Sequence, residues 1–179
     1  ANLTVMALAA FDGLAVIAAL PSIAADLGQV VLLPWVSTAY LGTSAVAVLI
    51  GGPIIDAIGV RRTFRIIGIW FLLSSALTAI SPTMIFLVFA RIAHGFGGGM
   101  VMAVVLSSVG LAYPGYLRRR AFAANSLVWG VMGFGGPAIT GLLISASGWR
   151  FIFAVQVPLT ALALFVGCST LPGTRRRPI

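Results

Sequence analysis

Two ionisable residues stand inside otherwise apolar runs, and they are the first candidates for chemistry. Asp12 lies about ten residues into a run beginning at Leu3, and Arg91 about seven residues into another beginning at Met84. If these runs cross a bilayer, each charge costs about 2.5–3.5 kcal/mol on insertion scales and belongs in a cavity or against a partner. Asp12 then reads as a proton site or as a counter-charge to a cationic substrate; a place at the membrane interface is the alternative. Arg91 has the planar fork to pair with Asp12 or with backbone carbonyls, or else it snorkels to an interface. His94 follows Arg91 three positions on, one short of the i+4 spacing. It reads as a neutral imidazole packed in a bundle or, more sharply, as part of a proton relay with Asp12 and Arg91. Other chemistry lacks its raw material. The chain has one His, one Cys (Cys168), three Asp and no Glu, so neither a nucleophile–base set nor a metal-ligand cluster is expected. The expectation is a protein that is not an enzyme and carries no cofactor.

The elements that must position these residues follow from composition. Of 179 residues, 60% are apolar and 8% charged, with a mean hydropathy of +1.13. A soluble domain averages roughly 25% charged residues, so a water-soluble globule is excluded and the expected surroundings are a lipid bilayer. Runs of about 20 apolar residues are long enough to span one, and none alternates with the period of two that barrel strands need. The reading is an all-α membrane protein of six transmembrane helices, forming one bundle over residues 1–179. The spans are placed at 3–20, 31–55, 66–80, 84–113, 121–146 and 151–171, the first ending near Pro21.

The formal charge of +8 comes from eleven Arg and no Lys. Nine of the Arg fall in three clusters, Arg61, Arg62 and Arg65; Arg118 to Arg120; and Arg175 to Arg177. The clusters close every second run, which is the positive-inside pattern, rather than the continuous basic face that nucleic acid requires. Asp56 to Arg65 is expected to form the first basic turn and Pro114 to Arg120 the second. The placement that follows is a multi-pass protein of the inner (cytoplasmic) membrane with both termini in the cytoplasm, and no nucleic-acid partner.

An internal repeat appears at an offset of 89. Residues 52–64 and 141–153 share six of thirteen positions: two Gly, an Ile, an Ala, an Arg and a Phe. The first copy joins spans two and three, the second spans five and six, on opposite sides. Residues 1–83 and 84–172 therefore read as two inverted three-helix repeats, a construction used by secondary transporters. Gly95 and Gly99 in the fourth span, and Gly133, Gly136 and Gly141 in the fifth, have the small-residue spacing that lets helices approach closely. Pro137 bends the fifth span and frees a carbonyl. Trp35, Tyr40, Trp129 and Gln156 are candidates to line a substrate cavity, though interface anchoring or plain packing explains them as well.

Several stretches resemble one known family, in order along nearly the whole chain. Gly52-Pro53-Ile54-Ile55-Asp56-Ala57-Ile58-Gly59-Val60-Arg61-Arg62 resembles the loop signature between helices two and three of the major facilitator superfamily, with Ala57 and Val60 at two usual Arg positions. Leu87 to Gly99 is similar to the fourth-helix motif, His94 standing where Gln is usual. Gly136-Pro137-Ala138-Ile139-Thr140-Gly141 resembles the fifth-helix motif of antiporters, Thr140 replacing a Gly. Asp12 to Pro21, Trp35-Val36-Ser37-Thr38-Ala39-Tyr40-Leu41, and Trp149-Arg150-Phe151-Ile152-Phe153 with Val157-Pro158 are similar to the fourteen-helix drug/proton antiporter branch. The branch's usual Thr and Asn are Leu14 and Ile17 here, and its Asn is Gln156.

The resemblance implies half of a major facilitator fold working by alternating access. It implies proton exchange at Asp12 with Arg91 as the fourth-helix Arg, and a gate at the Gly52, Asp56, Gly59, Arg61 and Arg62 loop. The expected function is proton-coupled efflux of lipophilic or cationic small molecules. The expected partners are protons, the substrate and a second six-helix half, either a copy of this chain or a missing carboxy-terminal half. The alternative is a non-transporting membrane subunit, or a half-transporter fragment needing its second half.

Overall fold

The computed structural model describes residues 2–112 and 114–170. Among them are six long helices: α1 (Asn2–Leu27), α2 (Leu33–Ile58), α3 (Val60–Ala79), α4 (Met84–Ala112), α5 (Gly115–Ser147) and α6 (Arg150–Thr170), with a short 3-10 turn at Val30–Leu32. Helices satisfy every backbone group within the segment, which hydrocarbon demands. Four of them, α1, α2, α4 and α5, are long and apolar enough by composition to cross a membrane. Helix α3 is not among the four: it opens with Arg61, Arg62 and Arg65. The apolar part of α6 within the described side chains, Arg150–Val166, is shorter. By length and composition the chain can therefore cross a membrane several times.

The helices run further than the sequence pattern placed them. Pro21 does not end α1, which continues to Leu27 with the proline inside it; helices in apolar surroundings tolerate proline when neighbouring groups satisfy the freed carbonyl. The expected basic turn from Asp56 to Arg65 shrinks to Gly59 alone, because α2 continues to Ile58 and α3 starts at Val60. The expected basic loop from Pro114 to Arg120 is instead the first turns of α5, with Pro114 as its N-cap. Charge does not break a helix; a residue with positive φ does. Gly59 (φ 86) and Gly148 (φ 81) adopt that conformation at low cost because they lack a Cβ. Each N–H closes the preceding helix, Gly59 onto the Ile55 carbonyl at 2.8 Å and Gly148 onto the Ile144 carbonyl at 2.9 Å. These two turns are register mates at the offset of 89. Arg175 to Arg177, Tyr113 and Leu171 lie outside the described residues.

Helix α4 is the axis of the bundle, packed against α2, α3 and α1, while α5 leans on α1 and α6 on α3. The α2–α4 contact is close because α4 presents glycines. A Cβ on Gly95 would lie 2.8 Å from Tyr40 Cα, and one on Gly99 2.8 Å from the Ser44 carbonyl carbon. The core divides into two apolar layers. One gathers Leu8, Ala47, Ile55, Phe64, Met100 and Val104 toward the Arg-rich end. The other gathers Ala19, Ile23, Val36, Leu87, Trp149 and Ile152 toward the opposite end. Asp12 on α1, and Arg91 and His94 on α4, fall between the residues that those two helices give to the two layers.

Candidate functional site

The gap between the apolar layers holds a sealed ionic cluster. Asp12 from α1 is fully buried, and Arg91 and His94 from α4 are 1% and 0% exposed. Arg91 Nη1 donates to both carboxylate oxygens of Asp12, at 3.1 and 3.0 Å, and Nε donates to the Val36 carbonyl of α2 at 3.4 Å. The guanidinium carbon lies 4.0 Å from the centre of the Tyr40 ring, a cation–π contact in a desolvated place. Gln156 of α6 donates from Nε2 to Asp12 Oδ1 at 3.2 Å. Four helices therefore converge on one carboxylate.

His94 joins the same cluster. Its Nδ1 is 3.1 Å from Arg91 Nη1 and 3.7 Å from Asp12 Oδ1. Residues three apart on a helix are neighbours as much as residues four apart, so the spacing that seemed one short does bring them together. An Arg nitrogen only donates, so Nδ1 accepts and a neutral imidazole carries its proton on Nε2. That Nε2 has no hydrogen-bond partner among the described residues. The ring is packed on Phe71, with centroids 4.4 Å apart.

An ion pair this deep survives because both charges are satisfied; removing either leaves an uncompensated buried charge, commonly worth 3–5 kcal/mol. The arrangement can therefore switch. A proton delivered to Asp12 cancels the charge that holds Arg91, and the guanidinium and its Tyr40 stack must then find a new balance. No covalent step is available from these groups.

A cavity of about 170 Å3 opens beside the cluster, between α1, α2, α4 and α5. Gly13, Leu14, Ile17, Ser37, Tyr40, Ser44, Gly98 and Trp129 line it, and Arg91 is the one charged residue that reaches its wall. Of the four expected cavity residues, Tyr40 and Trp129 line it. Trp35 does not: it stands 57% exposed on the outer face of α2. Gln156 is not there either; it braces Asp12 and borders a separate groove. Sequence reasoning missed Ser37, whose buried hydroxyl has no partner among the described residues, and Gly98, where a Cβ would meet the Tyr40 hydroxyl at 2.6 Å. Both sit in stretches singled out for other residues, and only the face they share with Tyr40 and Arg91 marks them.

The remaining expected sites are apart from this cluster. Asp56, Arg61 and Arg62 are exposed at the Arg-rich end, and no ion pair joins Asp56 to either Arg among the described residues. Gly52 is half-buried with open space beside it, and Gly59 supplies the turn. In α5 only Gly136 faces a neighbour, Leu14 of α1 at 3.9 Å from a Cβ placed there. Gly133 and Gly141 look into open space, so the close approach expected of them is not made within this chain. Pro137 lies inside α5, as expected. At the end opposite the Arg clusters, a second ionic contact went unnoticed in the sequence. Arg150 of α6 donates to Asp26 of α1 and to the Ser81 carbonyl between α3 and α4 at 3.0 Å. The Trp149 indole donates to the same carboxylate at 3.0 Å.

A family model described as Major Facilitator Superfamily matches residues 3–178. The chain is 33% identical over 168 residues to the uncharacterized transporter YebQ of Escherichia coli (strain K12), covering 93% of this chain and 37% of that protein. It is 31% identical over 172 residues to the multidrug transporter protein MdtP of Bacillus subtilis (strain 168), covering 96% and 32%. It is 34% identical over 157 residues to the probable multidrug-efflux transporter Rv1634 of Mycobacterium tuberculosis (strain ATCC 25618 / H37Rv), covering 88% and 33%. The chain thus spans about a third of the length of these relatives. The inward-open xylose transporter XylE of E. coli superposes with a TM-score of 0.76 at 18% identity, over 96% of this chain and 46% of that one, a likeness of fold.

Proposed function

The chain belongs to the major facilitator superfamily, and from that premise we propose that it is the six-helix half of a proton-coupled secondary transporter that exports lipophilic small molecules by alternating access. The observation that carries the proposal is the sealed Asp12–Arg91 pair beside the cavity. A buried ionisable pair between membrane-crossing helices is expensive to keep, and such groups mark ion pathways. In this reading a proton reaching Asp12 loosens Arg91 from it, the cavity wall rearranges and substrate leaves; loss of the proton to the other side resets the pair.

The lining favours a lipophilic substrate over a cationic one. Leu14 and Ile17, which stand where the resembling branch carries Thr and Asn, both face the cavity, and the charge on its wall is a guanidinium rather than a carboxylate. Relatives named as multidrug transporters support the same reading. The second half, as a copy of this chain or another six-helix unit, would seat on α2 and α5. Only 17% and 11% of their apolar stretches are buried here. On this reading the Arg-rich end, with both termini, faces the cytoplasm across the inner membrane, and Asp56, Arg61 and Arg62 close that side against the second half. Gradient-driven flux of a lipophilic fluorophore in proteoliposomes should fall to the level of empty vesicles in Asp12→Asn. Coupled flux unchanged in that variant would sink the assignment.

A further inference from the structure

A second opening, of about 340 Å3, lies on the side of the bundle between α1, α5 and α6. It is twice the size of the central cavity and apolar apart from Gln156, with Leu8, Phe11, Met132, Ile139, Leu143 and Leu159 among its walls. Its outer lip faces where lipid would be: Ile139 and Leu159 are exposed, beside Leu142 and Leu162. Gln156 is the exception to this lining. It is fully buried, its Nε2 is committed to Asp12, and its Oε1 has no partner among the described residues. A buried acceptor left unmade costs about 1–3 kcal/mol, and here it stands at the inner edge of an apolar groove.

The other half of the repeat carries a larger side chain at the matching position. The register that pairs residues 52–64 with 141–153 continues through α3 and α6 and pairs Trp70 with Leu159. On α3, the Trp70 indole lies across to α4, donating to the Ala93 carbonyl at 2.8 Å with Phe96 edge-on at 6.0 Å. On α6, the same position is the shorter Leu159, and the groove is left open. Where one half of the chain supplies a flat aromatic ring with one N–H donor, the other supplies apolar walls and a waiting acceptor.

We propose that the α1–α5–α6 groove binds a bilayer-dissolved aromatic molecule that carries a single ring N–H or hydroxyl donor, its ring between α5 and α6 and its donor on Gln156 Oε1. Gln156 is part of the groove's lining, and the proposal requires its buried amide to turn so that the oxygen meets the donor. Because the same amide holds Asp12, occupancy of the groove bears directly on the ionic cluster. The proposal deepens the transport reading by naming a substrate class, yet binding to the groove can be observed without any flux.

The test uses the full chain in lipid nanodiscs with two photoreactive probes, a diazirine-bearing indole and its N-methyl counterpart, and maps labelled peptides by mass spectrometry. The indole should label residues 132–143 and 155–159 on the order of fivefold more than the N-methyl probe, the worth of one hydrogen bond. Gln156→Met should erase that preference. Leu159→Trp, which supplies the missing ring, should remove labelling by both probes; Ile139→Trp at the lip should do the same if the first variant fails to fold. Equal labelling by the two probes in the unaltered chain, or labelling undiminished in the folded Trp variants, would overturn the proposal and leave a groove filled by acyl chains. A groove labelled as expected, beside coupled flux that Asp12→Asn leaves unchanged, would keep the site and sink the transport reading.

Discussion

Helices α4 and α5 carry the same device and use it differently. Both are long, apolar and rich in glycine, yet 67% of the apolar stretch of α4 is buried against 11% for α5. The glycines of α4 are consumed inside this bundle: at Gly95 and Gly99 the α2 backbone leaves no room for a Cβ. Those of α5 face outward at Gly133 and Gly141, beside Phe134 at 92% and Leu142 at 71% exposure. A glycine pattern therefore states that a helix can be approached closely, not which surface approaches it. The ionic contacts divide in the same way. The Asp12–Arg91 pair is sealed by four helices, whereas Arg150 and Asp26 are 41% and 46% exposed at one end.

Breaking the buried side of the comparison should have the largest effect. Gly99→Leu pushes a side chain into the Ser44 backbone, so it should cost at least the ~1–3 kcal/mol of overpacking. It should read as a clear fall in the thermal midpoint of the detergent-solubilised chain. Opening the exposed contact should matter less. Arg150→Ala should lower the same midpoint by about 2 °C, as exposed pairs do. The difference should narrow at 1 M salt, because screening already weakens the pair. The smallest effect sharpens the contrast. Gly133→Leu should leave the midpoint of this chain within the ±0.5 kcal/mol of an ordinary surface change. A fall equal to that of Gly99→Leu would show that α5 is packed within this half after all.

Much of this was legible in the residues. Six helices, their order and the isolation of Asp12 and Arg91 follow from where apolar runs stop and where a charge interrupts them. Helix ends were misplaced because hydropathy marks where a helix leaves the apolar zone, whereas hydrogen bonding lets it run on. Thus Arg118 to Arg120 continue α5, and α3 starts at Val60 ahead of its three Arg. Which residues meet in space was only half readable. The i+3 step brings His94 to Arg91, but that Gln156 would turn toward Asp12 and away from the central cavity depends on how α6 rotates against α1. The Asp26–Arg150 contact joins residues 124 apart, and no local pattern announces it.

The partners of Asp12 also differ in when they are made. Arg91 follows it by 79 residues and Gln156 by 144. At about 5–20 residues per second, a ribosome finishes the carboxylate roughly 4–16 s before the guanidinium exists. Throughout that interval the first helix holds an acid with no base. The pair that defines the mature site is assembled by a helix that arrives three spans later.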